Sequence, residues 1–500
     1  MSDSVANEPN TNHTNILKEK SLFDHGQMEG PDGTHLPSIL IRLRTDTIYR
    51  NKLYQTLALS WLSTCLGWNA GQLGPALPDL QVITNTTLDE ASYYLTALSL
   101  GFLIGALAAG WIFRKGHQMI TMSTLTGVFA ILTAVIPWCK YYVLMIILFL
   151  IRGGARGVID TGCNIMILEI WGKHNGPYMQ AVHFMYAVGG IVSPLATAPF
   201  LSIRVHDVNH TSKYTNISNY HNLSENFSAS FESGKIDSQE THNSSVHFAF
   251  AITAAFALSC SFIFLYFLCR STKQTNNNTD RSPTRVTKNL PRSIRLMSLS
   301  LMCATFWFYL FLEKAMVFFL PTFTLVHMEW TQLQGSYAAT TYWAAFAIGR
   351  LSGIIITHRF KTDKVLATYI SVLTLSSFGL MITTLYQKDI GVWIFVPMSG
   401  FCQSILFPLL LSWIEEDFFK KTGKIVSVIM FLGSIGTMVT PIILGYLIDL
   451  FTPMWFPYAE VIASVCMLIL YFVLLLIRSK IVFDHHENQT CISVQETNKE

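Results

Sequence analysis

The 500-residue sequence predicts an all-α membrane protein, with twelve transmembrane helices in two pseudo-symmetric six-helix bundles. Three observations predict it. Hydrophobic residues make up 51% of the chain and charged residues 13%, about half the charge of an average soluble domain. That charge is gathered into loops and tails, leaving long apolar runs. The runs of the first half are echoed in the second. The same figures exclude a soluble enzyme, a disordered chain and a disulfide-stapled secreted module. A net charge of +3 is too small for a nucleic-acid binder. The nine cysteines lie singly, with no C-x-x-C pair, so neither a zinc site nor a disulfide framework is indicated.

A bilayer core about 30 Å thick takes about 20 apolar residues per helix. Residues 1–50 are polar and have no short apolar core, so no cleavable signal peptide is expected there; they read as a cytoplasmic tail. The N-terminal bundle, 51–269, holds spans at 54–77, 93–113, 119–138, 142–169, 178–201 and 247–269. Span one, WLSTCLGWNAGQLGPALPDL, mixes amides with Gly and Pro, which membrane helices tolerate. Span two has a small-residue face and exits into Arg114 and Lys115, span three is continuously apolar, and span four carries four polar side chains at regular spacing. Span five ends in Gly and Pro, and span six follows a long polar loop at 203–246. Residues 270–296, polar and basic with two prolines, read as a cytoplasmic linker, with a phosphorylation or anionic-lipid site as the sharper reading. The C-terminal bundle, 297–478, holds spans at 297–321, 336–357, 365–386, 391–415, 425–448 and 454–477, and a cytoplasmic tail follows at 479–500.

Lys and Arg orient the chain. With both termini cytoplasmic, that side holds 25 of the 34 basic residues and the opposite loops five, the other four lying within spans. Sequons agree. The loop at 203–246 carries five, at Asn209, Asn216, Asn222, Asn226 and Asn243, and the first outer loop adds Asn85. Such sequons mark surface loops facing a secretory or extracellular space, although sequons also occur at Asn12, Asn277 and Asn488 on the opposite side.

The halves repeat at an offset of about 245 residues. Gly189, Gly190 and Pro194 of span five match Gly433, Gly436 and Pro441 of span eleven. Gly101, Gly105 and Gly110 of span two match Gly349 and Gly353 of span eight, and Gly157 of span four matches Gly400 of span ten. Small residues let packed helices approach and slide. A parallel six-plus-six repeat is the architecture of the major facilitator superfamily, with a midplane site and alternating access.

Ionisable residues inside a span are default functional candidates. In span four Arg152, Arg156, Asp160 and Asn164 recur every four residues, which places them along one helix face. Arg156 and Asp160 are expected to pair. Asp160 is the leading cation or proton site, and Asn164 suits a substrate hydroxyl. Arg152, Gly157, Pro194, Arg350 and Pro441 read as packing or gating residues. In span seven Glu313 is the second cation candidate, with Arg350 as its alternative partner; adjacent Lys314 points about 100° away, so at most one of the two faces a cavity squarely. Asn69, Gln72, Gln180, His183, Trp343 and Gln403 suit a polyol, whose hydroxyls need donors and acceptors and whose C–H face stacks on an aromatic ring. His183 also titrates near neutral pH in an ordinary setting. No Walker, H-E-x-x-H or G-x-S-x-G pattern points to ATP use or hydrolysis, and no S4-like arginine repeat or T-V-G-Y-G filter points to a channel.

Four stretches carry a closer resemblance: LGPALPDL (73–80), VIDTGCN (158–164), WGKHNGPYMQAVHF (171–184) and FPLLLSWIEE (407–416). They resemble the sodium-dependent glucose transporter group, in the type 4 domain-containing branch of the major facilitator superfamily, over residues 55–478. The D-T-x-x-N step also resembles the E-T-x-x-N step of the bacterial fucose–proton symporters. That resemblance implies a coupling role for Asp160 and a sugar-binding role for Asn164. Span one lacks the second carboxylate of those symporters, having Asn69 and Gln72 inside and Asp79 at its outer edge, so sodium coupling or simple facilitation is implied in place of proton coupling. The loop GWIFRKGHQ (110–118) departs from the superfamily's G-x-x-x-D-R-x-G-R-R pattern, lacking its acid and one residue.

The expectation is a plasma-membrane transporter of a glucose-like sugar, working as a monomer in the bilayer. It has no enzymatic activity, cofactor, resident metal or nucleic-acid partner, and sodium is the coupling ion. The alternatives are a facilitator or antiporter of another small polar solute or organic anion, which Arg156, Lys314 and Arg350 would suit, and a non-transporting solute sensor on the same fold.

Overall fold

The structure is a computed structural model that describes residues 28–29, 35–36, 46–113, 118–172, 175–202, 245–270, 292–417 and 423–497. Seven of the sequons (Asn12, Asn209, Asn216, Asn222, Asn226, Asn243 and Asn277) and residues 271–291 of the linker read at 270–296 lie outside the described residues, and the linker's end, from Arg292, is helical. The chain divides into Met1–Leu57 and Ala58–Glu500. In the first unit, Met28–Glu29 pairs antiparallel with His35–Leu36, and the Asp46 carboxylate accepts from the Ile48 and Tyr49 N–H groups at the start of a helix.

Twelve α-helices of 18 residues or more run through the described residues: α1 (Thr47–Thr84), α2 (Leu88–Ile112), α3 (Gln118–Val135), α4 (Tyr142–Trp171), α5 (Gly176–Thr197), α6 (Val246–Arg270), α7 (Arg292–Val326), α8 (Gln332–Arg359), α9 (Thr362–Leu385), α10 (Asp389–Asp417), α11 (Gly423–Leu450) and α12 (Trp455–Thr497). Each overlaps one predicted span. Local chemistry sets several boundaries. Thr87 and Glu90 form a capping box at α2, and Thr331 and Gln334 form one at α8. Asn85 takes φ +52° in the turn between α1 and α2, a left-handed conformation Asn tolerates better than most residues.

Ten of the helices are long and apolar enough to cross a membrane, and the protein is a multi-pass membrane protein. The sequence reading counted twelve. The two that fall short in mean hydropathy, α1 and α8, do so through polar residues that the fold turns inward: Asn69, Gln72 and Ser336 are buried. Lipid-facing positions elsewhere are apolar, as with Phe262, Ile355 and Leu476.

Helix pairing repeats with an offset of six. The pairs α2–α4, α3–α4 and α3–α6 recur as α8–α10, α9–α10 and α9–α12. The pairing of α5 with α1, seen where Gly189 faces Thr64, recurs as α11 with α7, where Gly436 faces Trp307. The first six helices meet the last six through α2–α11 and α5–α8, a pair of contacts that the same offset exchanges.

Backbone-to-backbone contact holds α2 on α4. A Cβ at Gly101 would overlap the Leu150 carbonyl oxygen, one at Gly105 that of Gly154, and one at Gly157 that of Phe102. The packing role read for Gly157 follows directly. Gly110, grouped with Gly101 and Gly105 in the sequence, lies in open space past the end of this seam. On the matching seam, Gly400 abuts the Tyr342 carbonyl and Gly349 abuts Ser404. Pro194 and Pro441 lie within α5 and α11 and are buried. Gly157→Val is expected to destabilise the protein by about 1–3 kcal/mol or more, because the facing atom is backbone and cannot swing aside. Gly110→Val is expected to stay within about 0.5 kcal/mol. Thermal unfolding of both variants in detergent checks this.

Candidate functional site

A cavity of about 260 Å³ opens between eight helices: α1, α2, α4 and α5 from the first six, and their offset partners α7, α8, α10 and α11 from the last six. Its titratable wall is Arg156 and Asp160 from α4, His183 from α5, Glu313 and Lys314 from α7, and Arg350 from α8. Tyr186, Tyr309, Trp343, Phe346 and Phe407 supply aromatic surface, and Ser99, Ser434 and Thr437 supply hydroxyls.

Arg156 does not pair with Asp160, as the i,i+4 spacing had suggested. Its guanidinium crosses to two other helices, donating to Asn69 Oδ1 at 3.2 Å and to Tyr186 Oη at 3.0 Å. Both acceptors are neutral, so these bonds fix the arginine without an ion pair. Asp160 consequently has no hydrogen bond or ion pair among the described residues, and its carboxylate lines the cavity. The other two members of that helical row leave the cavity. Four-residue steps drift by about 40° each, and Arg152 ends fully buried between Phe129 and Phe149, with its carbon Cζ 5.1 and 5.7 Å from the ring centres and Nε donating to Thr133 at 3.0 Å. That is a packing role, with cation–π contact in place of a counter-ion. Asn164 donates back to the Asp160 backbone carbonyl at 3.0 Å instead of facing the cavity.

Glu313 pairs with its neighbour Lys314 at 2.6 Å and accepts from Tyr309 Oη at 2.8 Å, where the sequence had suggested Arg350 as partner and only one of the two facing inward. Both line the cavity, because long side chains on adjacent positions converge on one opening. Arg350 also lines it, which moves this residue from the packing set to the wall. Its guanidinium carbon sits 5.2 Å from the centre of the Phe346 ring, and its Nε is buried without a hydrogen-bond partner among the described residues.

The amides stand behind this wall. Asn69 holds Arg156, as described. Gln72 accepts from Thr253 at 2.8 Å on the side facing α6, and Gln403 accepts from Tyr342 at 2.6 Å within the last six helices. Gln180, on α5, is outside the lining set. His183 and Trp343 do line the cavity. The Trp343 ring lies over Gly190, where a Cβ would strike it, and meets Tyr186 edge-on at 5.8 Å. Asp79, read as an outer-edge residue, is fully buried and accepts from the Ser202 N–H at 3.2 Å. Tyr186 and Tyr309 had gone unremarked, although spacing marks both: one lies three residues after His183 and the other four before Glu313. Glu460 of α12 was also passed over. It is fully buried, and neither carboxyl oxygen has a hydrogen-bond partner among the described residues.

These arrangements lead to two expectations. Tyr186→Phe and Asn69→Ala each remove one acceptor from Arg156 and are expected to cost about 1–2 kcal/mol. Because they share one guanidinium, a double-mutant cycle read by thermal unfolding is expected to show coupling of about 0.5 kcal/mol or more. Glu460→Met replaces an unpartnered buried acid by an apolar chain of similar length and is expected to raise the unfolding temperature.

Comparisons with known proteins agree with this architecture. Residues 241–441 match the sequence profile of the Major Facilitator Superfamily. Over 413 residues the chain is 28% identical to sodium-dependent glucose transporter 1 of Danio rerio, covering 81% of this chain and 66% of that one. The chain thus spans about two thirds of that relative's length. It is 26% identical over 392 residues to sodium-dependent glucose transporter 1 of Homo sapiens, covering 76% and 71%. Among solved structures it resembles the major facilitator transporter FucP in its outward conformation, at a TM-score of 0.54 and 18% identity over 85% of this chain and 98% of that one. It also resembles an inward-facing bacterial homologue of the lysosomal transporter Spinster, at a TM-score of 0.57 and 12% identity over 87% and 96%. The chain has the fold of the major facilitator superfamily.

Proposed function

We propose that the protein is a secondary-active transporter that carries a hexose-sized sugar through this cavity by alternating access, with sodium as the coupling ion. On this reading all twelve helices span the membrane, α1 and α8 included. At about 1.5 Å per residue their 38 and 28 residues are long enough for a bilayer core of about 30 Å. The helices form two six-helix bundles, which the six-helix offset in pairing supports, and the cavity between them is the transport site.

One observation carries the proposal: the Asp160 carboxylate faces the cavity with no partner among the described residues. A bare carboxylate at membrane depth calls for a cation that arrives and leaves with the cycle. Glu313, held by Lys314 and Tyr309, is already matched and takes a structural or switching role. The sugar lies between Trp343, Tyr186 and Phe407, with His183, Ser99 and Ser434 for its hydroxyls. Asn69 and Arg156 act as a fixed pair behind it. The names of the relatives from zebrafish and human favour sugar and sodium. Cytoplasmic termini, a plasma-membrane location and glycans on the loop at 203–246 follow from the charge asymmetry and the sequons.

The energetics suffice. One sodium ion crossing about 60–70 mV gains about 1.5 kcal/mol, since 100 mV is worth about 2.3 kcal/mol per charge. A tenfold sodium gradient adds about 1.4 kcal/mol, and together these support roughly hundredfold accumulation of a neutral solute.

In proteoliposomes, an inward sodium gradient is expected to drive labelled glucose above equilibrium, choline is expected not to, and Asp160→Asn is expected to abolish the sodium effect. Glucose that merely equilibrates, whatever the cation, would make the protein a facilitator and leave Asp160 without a coupling role.

A further inference from the structure

The charges of the cavity do not balance, and the imbalance is localised. Arg156, Lys314 and Arg350 are cations, and Asp160 and Glu313 are the acids. Glu313 is matched by Lys314 at 2.6 Å. Arg156 is held by two neutral oxygens on α1 and α5. Arg350 has no hydrogen bond or ion pair among the described residues; it rests on Phe346 and keeps a buried, unpartnered Nε. Its charge reaches Glu313, Tyr309 and His183, while Asp160 stands instead within reach of Arg156 and Lys314. The unmatched carboxylate and the unmatched guanidinium therefore belong to different neighbourhoods, one built on α4 and the other on α8. A coupling cation at Asp160 would satisfy the first and leave the second as it is.

An arginine at membrane depth whose nearby carboxylate, Glu313, is already paired with Lys314 is held in an unfavourable setting unless something it binds completes it. Its planar fork accepts a carboxylate bidentately, which a lysine cannot do. The Phe346 ring packs beside the guanidinium, its centre 5.2 Å from Cζ. The nearby His183 ring lines the same cavity and offers a hydrogen bond beside the anion, and Trp343 supplies a face for a sugar ring.

We infer that the cavity's substrate is anionic, a sugar acid of hexuronate size whose carboxylate docks on Arg350 of α8 while its ring packs against Trp343. This rests on the reading of the cavity as the transport site and deepens it, assigning the cation to the Asp160 side and the anion to the Arg350 side.

The test is binding to the purified full-length protein in lipid nanodiscs with sodium, comparing glucuronate, glucose and chloride, for the wild type, Arg350→Gln and Arg350→Lys. Charge-assisted hydrogen bonds predict that glucuronate binds about 10- to 100-fold more tightly than glucose. The preference should collapse towards unity in Arg350→Gln and return in part in Arg350→Lys, and chloride should not displace glucuronate. If glucose binds as well as glucuronate, the inference falls and the sugar-transport reading stands. If the preference survives in Arg350→Gln, another cation holds the carboxylate and the assignment to Arg350 is overturned. If chloride competes at similar concentrations, Arg350 is a site for a small inorganic anion, and the sugar-acid assignment is wrong. If neither sugar binds at all, the inference and the underlying function fail together. Should Arg350→Gln not fold, Arg350→Lys decides: it keeps the charge and loses the fork, so an unchanged glucuronate preference would overturn the bidentate docking.

Discussion

Every charged side chain at the middle of this protein has to be kept away from hydrocarbon, and the arrangement of the helices follows from that constraint. The fold meets it in three ways. Arg152 is enclosed between two phenyl rings and a threonine hydroxyl. Glu313 and Lys314 neutralise one another. Arg156 is spread over an amide and a phenol on two neighbouring helices. Asp160 and Arg350 have no hydrogen bond or ion pair among the described residues, Arg350 resting only on the Phe346 ring, and both line the cavity. A cavity is the one place inside a membrane protein where an uncompensated charge can be tolerated, because water or a solute can reach it.

The cavity exists because the helices around it are packed tightly elsewhere. Along the α2–α4 seam the contact is glycine against carbonyl, and along α8–α10 it is glycine against carbonyl and serine, so these pairs move as units if they move at all. The contacts between the first and last six helices are mixed in kind. Trp343 lies over Gly190, and Gly445 of α11 faces the Ser92 side chain of α2. These two contacts are made by side chains, whereas Gly74 of α1 faces the Val317 carbonyl oxygen of α7 directly.

Much of this was legible in the sequence, and what was not has physical reasons. Length and apolarity located all twelve helices, and the glycine and proline offsets anticipated the repeated pairing. Asp160, His183 and Trp343, singled out in the sequence, all line the cavity; in-span polarity marks the first two. The failures concern where side chains go after leaving a correctly identified face. Arg156 reaches partners 87 and 30 residues away in sequence in preference to its own helix. Asn164 folds back on the preceding turn, and Gln72 and Gln403 are taken up by a threonine and a tyrosine on other helices. A helical row of period four also drifts, which is why Arg152 and Asp160 end in different surroundings. Glu460 was missed although the in-span rule that found Asp160 applied equally to it.

The surplus cation on the wall gives the empty protein an electrical character of its own. Three fixed positive side chains against two carboxylates leave the unloaded cavity with one net positive charge when His183 is neutral. A carrier that reorients with such a cavity displaces that charge through part of the membrane field, so its unloaded return becomes a voltage-dependent step, worth up to about 2.3 kcal/mol per 100 mV for a full crossing. A monovalent anion bound at Arg350 cancels that charge, and a sodium ion bound with it restores it. The resting potential would then act on the empty and loaded carriers alike, and fast capacitive currents in the absence of substrate would be the protein's electrical signature.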